Sequence, residues 1–262
     1  METVRDWWVR AALIVSLLLP VYFLAAALGT KFGYLDWTIG FVEMTFRWGP
    51  RLLLGAAALA LVGVLLALFI SPRRGIVAGL IALAIPLAGI GYGMYVRNAA
   101  AGIPPIHDIS TDLADPPGFS EAIVSARAAV TGGNDLDLPN KRTQDGRAFT
   151  DLQRESYPEI GPVTSRLDPQ RTYDIALEAA REQGWTIGAT NADTGSIEAT
   201  DSTFWYGFTD DIAVRVRPEG SGARVDVRSV SRVGRSDLGA NAARVEPYLQ
   251  VLRARLESAQ AS

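Results

Sequence analysis

The densest run of residues able to do chemistry lies between Arg228 and Asp237. Arg228, Arg232 and Arg235 are interleaved there with Ser229, Ser231, Gly234 and Ser236, just ahead of a helix-forming stretch. Unbonded amides at a helix N-terminus attract anions, and guanidinium forks clamp phosphate or carboxylate. One reading is a site for a small anionic ligand, such as a lipid headgroup or an envelope metabolite. The other is structural: Ser236 or Asp237 caps the helix while the arginines pair with Asp210, Asp211 and Asp226. His107 is the only histidine, with Asp108 and Asp112 close by. It would suit acid–base work. One histidine with hard carboxylates matches neither zinc spacing nor a calcium loop. No metal or other cofactor is therefore expected, and the alternative role for His107 is to fix its segment by hydrogen bonds. Asp210 and Asp211 form a carboxylate pair, but strand neighbours point to opposite faces and share a site only across a bulge. No Gly-x-Ser-x-Gly elbow or phosphate-binding Gly-Lys loop occurs. The absence of cysteine excludes disulfides, thiolate catalysis and Cys-based metal sites.

The elements that must hold these residues fall into two halves. Met1 to Arg97 carries eight Lys/Arg and four Asp/Glu, and the remainder carries seventeen and twenty-four. The second half is thus acidic, which argues against nucleic acid as a partner, because phosphate binding needs a basic surface. The first half contains three charge-free runs, Ala11–Thr30, Leu52–Pro72 and Gly75–Val96. A membrane helix needs about 20 apolar residues, and hydrocarbon admits helices because their backbone bonds close internally. Pro20 and Pro86 lie inside the first and third runs and are tolerable there. Trp37, Phe41, Met44 and Trp48 share one helical face, which reads as an interfacial helix over about 36–48, with Glu43 and Arg47 paired on its wet side. Arg5, Arg10, Arg73 and Arg74 flank one side of the three spans; Lys31, Arg47, Arg51 and Arg97 flank the other. The count is even. The crowding of Arg73 and Arg74 into the shortest loop favours a cytoplasmic N-terminus, with the acidic half on the far side.

In that half, 98–118 reads as a linker and lead-in with two Pro-Pro pairs, and 119–262 as the soluble domain. Phe119–Val130 suits a short helix. Thr131–Arg147, rich in Gly and Asp, reads as a mobile loop. Asp168 and Pro169 open a helix that Gly184 closes. Trp185–Thr190, Gly195–Thr203, Phe208–Arg217 and Ala223–Val233 read as strands, the last two alternating apolar with charged residues. Trp205, Tyr206 and Phe208 read as core or cover for the sheet. Leu238, Ala242, Val245, Leu249, Leu252 and Leu256 form the stripe of a final helix containing Pro247. The expected fold class is a three-helix transmembrane region (1–97) plus an α+β soluble domain, an antiparallel sheet of about four strands packed by helices.

Four segments resemble the domain of unknown function 1499 family: Pro104–Asp112 (PPIHDISTD), Ile197–Thr200 (IEAT), Phe208–Asp211 (FTDD) with the following Val214–Val216, and Asp226–Asn241 (DVRSVSRVGRSDLGAN). The likeness covers roughly Ile103 to Leu256. It brings no established activity. Similar proteins are often bacterial membrane proteins with a few N-terminal spans or lie outside the cytosol, which implies a multi-pass inner-membrane protein with an extracytoplasmic domain. The leading expectation is a non-enzymatic envelope protein with the bilayer as one partner. Its soluble domain would bind an envelope protein or a small anionic ligand through Arg228, Arg232, Arg235, Ser236, Asp237, Asp210, Asp211, His107 and Asp112. The alternative is a membrane-tethered enzyme using His107, Asp210, Asp211 and the Arg228–Arg235 cluster. An enzyme requires these groups around one cleft; a scaffold requires them dispersed or consumed by internal ion pairs.

Overall fold

The computed structural model describes residues 1–261 and divides the chain into two compact units. One comprises Met1–Gly102 with Phe204–Gly207; the other comprises Ile103–Thr203 with Phe208 onward.

The first unit contains three helices long and apolar enough to cross a membrane, Glu2–Lys31, Thr38–Phe69 and Ile76–Ala100. At 1.5 Å per residue the shortest spans about 37 Å, more than the roughly 30 Å of bilayer hydrocarbon. The helices are α1 (Glu2–Lys31), α2 (Gly49–Phe69), which continues directly from a π-helical stretch (Thr38–Trp48), and α3 (Ile76–Ala100). The interfacial helix expected over 36–48 is therefore not separate from the second span. Trp48 and Gly49 both keep right-handed helical angles, and Pro50 falls in the first turn of α2, where a missing N–H costs little. The Glu43–Arg47 pair forms as expected, at 3.0 Å. Helix contacts run through small residues. Ala12, Ala60 and Ala82 meet in one buried cluster, and a Cβ on Gly79 would sit 3.0 Å from Val64. Such small residues let helix backbones approach closely. Ser16 Oγ donates to the Ala82 carbonyl at 2.6 Å. Buried Arg5 donates to the carbonyls of Ile70 and Pro72, which the end of α2 would otherwise leave unpaired.

The second unit is an α+β domain whose six strands are all paired antiparallel. The strands are β1 (Asp108–Ser110), β2 (Val163–Ser165), β3 (Thr186–Asn191), β4 (Ser196–Ser202), β5 (Thr209–Glu219) and β6 (Gly222–Ser231), ordered β1-β6-β5-β4-β3, with β2 also on β6. The four expected strands are β3 to β6. The two additional ones share an edge: β1 pairs with Arg228–Val230 and β2 with Ala223–Val225. Gln153 holds the free side of β1, accepting from the Ser110 amide and donating to its carbonyl. Gln153 sits in α5 (Phe149–Ser156), a helix absent from the sequence reading.

Two helices form the core on one face of the sheet. α6 (Pro169–Glu182) begins as expected, with Asp168 accepting from the Arg171 amide at 2.9 Å. α7 (Ala240–Ala261) runs through Pro247. Tyr248, Leu249, Leu252 and Leu256 of α7 pack with Tyr173 and Ala176 of α6 against Ile212, Val214, Val225 and Val227. Leu238, expected on the α7 stripe, is instead 51% exposed and lies outside the helix at a φ of 55°. Ser236 Oγ accepts the Leu238 amide, and Asp237 accepts those of Gly239 and Asn241. Asp237 thus satisfies a first-turn amide of α7, as expected of a capping residue, from a turn three residues ahead of the helix start at Ala240.

The opposite face of the sheet is covered by the lead-in, by α4 (Glu121–Ala128) and by the segment expected to be a mobile loop. That segment is fixed instead. Leu138 is fully buried, and Lys141 is buried because it reaches Asp108. The stretch expected as linker likewise contributes β1 to the sheet.

Candidate functional site

The alternation that buries Ile212, Val214 and Val216 under the helices sends Asp211, Arg215 and Arg217 to the other face. Arg224, Asp226, Arg228 and Arg232 join them there from β6 and the residue beyond it. A charged layer is thus built into a covered face of the sheet. Charges removed from water must carry their partners with them; the aspartates here meet arginine or lysine, and buried Glu198 is held by the amide and hydroxyl of Ser120.

Asp108 is fully buried. The fork of Arg228 grips it, Nε to Oδ1 at 2.9 Å and Nη2 to Oδ2 at 2.8 Å, and Lys141 Nζ donates to Oδ2 at 2.6 Å. Burial alone would raise this carboxyl; Arg228 and Lys141 outweigh it and hold it below the ordinary value. Arg228 also donates to the Leu136 carbonyl at 2.7 Å, tying the covering segment to the sheet.

Asp211 is gripped from two sides. Arg232 donates through Nε and Nη2, the latter at 2.7 Å, and Arg127 Nη1 donates to Oδ2 at 2.6 Å. Arg127 Nη2 extends to the carbonyls of Asn134 and Ser231. Asp226 is met by Arg215, Arg217 and Arg224, and Asp112 joins this group with Arg224 at 2.9 Å. Burial raises the Asp112 carboxyl, but the amides of Asp115 and Ala114, with Arg224 and Arg215, bring it below its usual range.

Asp210 points the other way, into the helix face. Arg244 of α7 meets it at 2.8 Å and also holds Asp201. Beside it Asn241 accepts from Ser229 Oγ at 2.6 Å and from Arg244, and donates to Ser231 Oγ and to the His107 carbonyl. Burial pushes the carboxyls of Asp210 and Asp237 up, with Arg244 opposing at the first and the Asn241 and Gly239 amides at the second.

The residues singled out in the sequence are therefore not gathered around one cleft. Asp210 and Asp211 lie on opposite faces with separate arginines. Arg228 and Arg232 are each committed to a buried carboxylate, Asp237 occupies the turn before α7, and Ser236 accepts the Leu238 amide. Arg235 is exposed. His107 is buried with its ring 4.9 Å from Phe149, and its Nδ1 meets no hydrogen-bond partner among the described residues. Burial, then Lys141, lowers its pKa to about 4 against the pull of Asp108. No group of three His, Asp or Glu side chains among the described residues is placed to hold a metal.

Sequence reading missed Arg127, Lys141, Arg244 and Asn241 as members of this network. Asn241 ends the longest motif, and its four side-chain bonds give that motif a structural meaning. Arg127 and Lys141 carry no local signal, since their partners lie 84 and 33 residues away.

The buried imidazole sets a pH dependence. An unfolded histidine takes up a proton near pH 6.5, and folded His107 does so only near 4. Between those values the unfolded chain binds more protons, so stability must fall as pH drops through that window, by about 3 kcal/mol in all. His107→Gln should flatten this slope in denaturant unfolding of the full chain followed from pH 7 to pH 4. An unchanged slope would mean that the imidazole is hydrated.

No curated protein sequence matches the chain. The model of a family described as "Protein of unknown function (DUF1499)" matches residues 108–252, more than half of the chain, including the Asp108, Asp210, Asp211 and Asn241 positions around which the charged network is built. The chain belongs to that family.

Proposed function

We propose that the protein is a multi-pass component of a bacterial inner membrane whose extracytoplasmic α+β domain is a non-catalytic module for docking a partner protein. The observation that carries this reading is the saturation of the charged motif residues: Asp108, Asp211 and Asp210 are each held by arginine or lysine from the same domain. Acid–base chemistry requires a group free to exchange protons with substrate in a cleft. His107, Asp210 and Asp211 are instead buried in separate contacts. The same saturation weighs against the anionic-ligand reading, because the forks of Arg228 and Arg232 are already filled by carboxylates. What the Asp226–Asn241 motif leaves outward is a turn carrying Arg235 and Leu238. Leu238 keeps its left-handed backbone while presenting half its surface to solvent, and strain of this kind, about 1–2 kcal/mol, is typically kept where a surface has work to do.

Two measurements test this reading. A photo-crosslinking residue at Leu238 in native membranes should give one discrete adduct that Arg235→Glu abolishes. A crosslinking pattern that is diffuse, or indifferent to Arg235, would contradict a docking surface there. The chain contains no cysteine, so Asp193→Cys reports sidedness directly. It should react with a membrane-impermeant maleimide in cells whose inner membrane is intact, and reaction only after lysis would place the domain in the cytoplasm.

A further inference from the structure

The four residues Phe204–Gly207, between β4 and β5, group with the helical unit. Within that unit the segment is held at fixed points. Lys31 Nζ donates to the Phe204 carbonyl at 2.7 Å and lies 4.4 Å from the Phe204 ring centroid. The Tyr206 hydroxyl is 2.6 Å from Thr45 Oγ1, and its ring stands 4.8 Å from Phe41, edge to face. Gly207 has a φ of 67°, and a Cβ there would lie 3.2 Å from Lys31 Cα, so both the backbone angle and the close approach call for glycine. These contacts account for Tyr206 and Gly207. They leave Phe204 71% exposed and Trp205 53% exposed, the two rings packed edge to face at 5.0 Å.

An exposed Phe–Trp pair is costly in water and stable at a membrane boundary, where aromatic rings bury their apolar bodies at headgroup level. The segment is pinned at such a boundary. Lys31 is the last residue of the first apolar helix, and Thr45 lies just before the apolar run of the second. The lysine supplies a cation beside the rings, as suits the phosphate level of a bilayer. We propose that Phe204 and Trp205 form an aromatic anchor that inserts into the lipid headgroup region beside the ends of the first two spanning helices. Its partner is the bilayer surface itself, read through two apolar rings and one neighbouring ammonium. The proposal rests on the membrane embedding argued above, and its test separates the two.

Single cysteines in full-length protein, reconstituted in phosphatidylethanolamine–phosphatidylglycerol vesicles and spin-labelled, report depth by collision with oxygen against a water-soluble nickel chelate. Leu61→Cys, on the exposed side of α2, marks hydrocarbon, and Ala192→Cys, in the exposed turn before β4, marks water. Labels at Phe204→Cys and at Trp205→Cys should each show severalfold less nickel collision than Ala192→Cys while keeping access to oxygen. Two sites are needed because either substitution removes one ring of the pair. Nickel access equal to that of Ala192→Cys, with Leu61→Cys shielded, would overturn the anchor and leave the spanning helices standing. Protection from both reagents would place protein rather than lipid over the rings, and would also overturn it. Nickel access at Leu61→Cys would remove the embedding and the anchor together.

Discussion

A carboxylate on a covered sheet face needs cations or hydrogen-bond donors brought to it, and the cover on that face of the second unit is fastened at such groups. Two buried aspartates on two strands, Asp108 on β1 and Asp211 on β5, meet arginine and lysine from elsewhere in the chain. Those cations come from α4, from the segment after it and from the far end of β6. Meeting them folds the lead-in and the Gly-rich stretch down over the sheet. What composition presents as linker and loop is fastened both by ionic contacts and by burial of Ile106, Ile109 and Leu138. Isolated pairs of this sort add little net stability, because desolvation consumes most of the attraction. Their effect lies in specificity: each carboxylate admits only the arrangement in which its cations arrive.

The sheet separates two kinds of polar order. On the covered face, arginine forks meet carboxylates directly. On the helix face, Asn241 mediates, joining Ser229, Ser231, Arg244 and the backbone of His107. Both arrangements draw on the same stretch of β6, where successive residues alternate faces. The family motif from Asp226 to Asn241 thereby supplies two interleaved sets of structural contacts. The unit of three long apolar helices obeys a different rule. Its helices approach through alanine and glycine, and its one deeply buried charge, Arg5, is used to satisfy carbonyls at the end of α2.

Much of this was legible in the residues because the signals are local. α6 announces itself through Asp168, Pro169 and Gly184, and β5 and β6 through strict alternation. The three apolar helices follow from run length alone. The failures are non-local. β1 and β2 are three residues each, and only pairing with β6 makes them strands. Arg228 finds Asp108 at a separation of 120 residues, which no periodicity encodes. Leu238 fits the α7 stripe by spacing, yet it lies in the turn that Ser236 and Asp237 hold, with Asp237 reaching over it to the Asn241 amide of α7. Trp205, Tyr206 and Phe208 read as core or cover for the sheet, but the first two lie in Phe204–Gly207, which groups with the helical unit through Lys31 and Thr45.

The central claim is that these charges are held for structure, and the Asp108 group measures it most directly. Asp108→Ala leaves Arg228 and Lys141 buried together with only the exposed Asp135, 4.0 Å from Lys141, as counter-charge. Unfolding of the full chain should then require about 3–5 kcal/mol less. Replacing all three residues together, as Asp108→Leu with Arg228→Met and Lys141→Met, should restore most of that loss. A single variant as stable as the original protein would contradict the account, and would return Arg228 and Lys141 to the surface as groups free to bind something else.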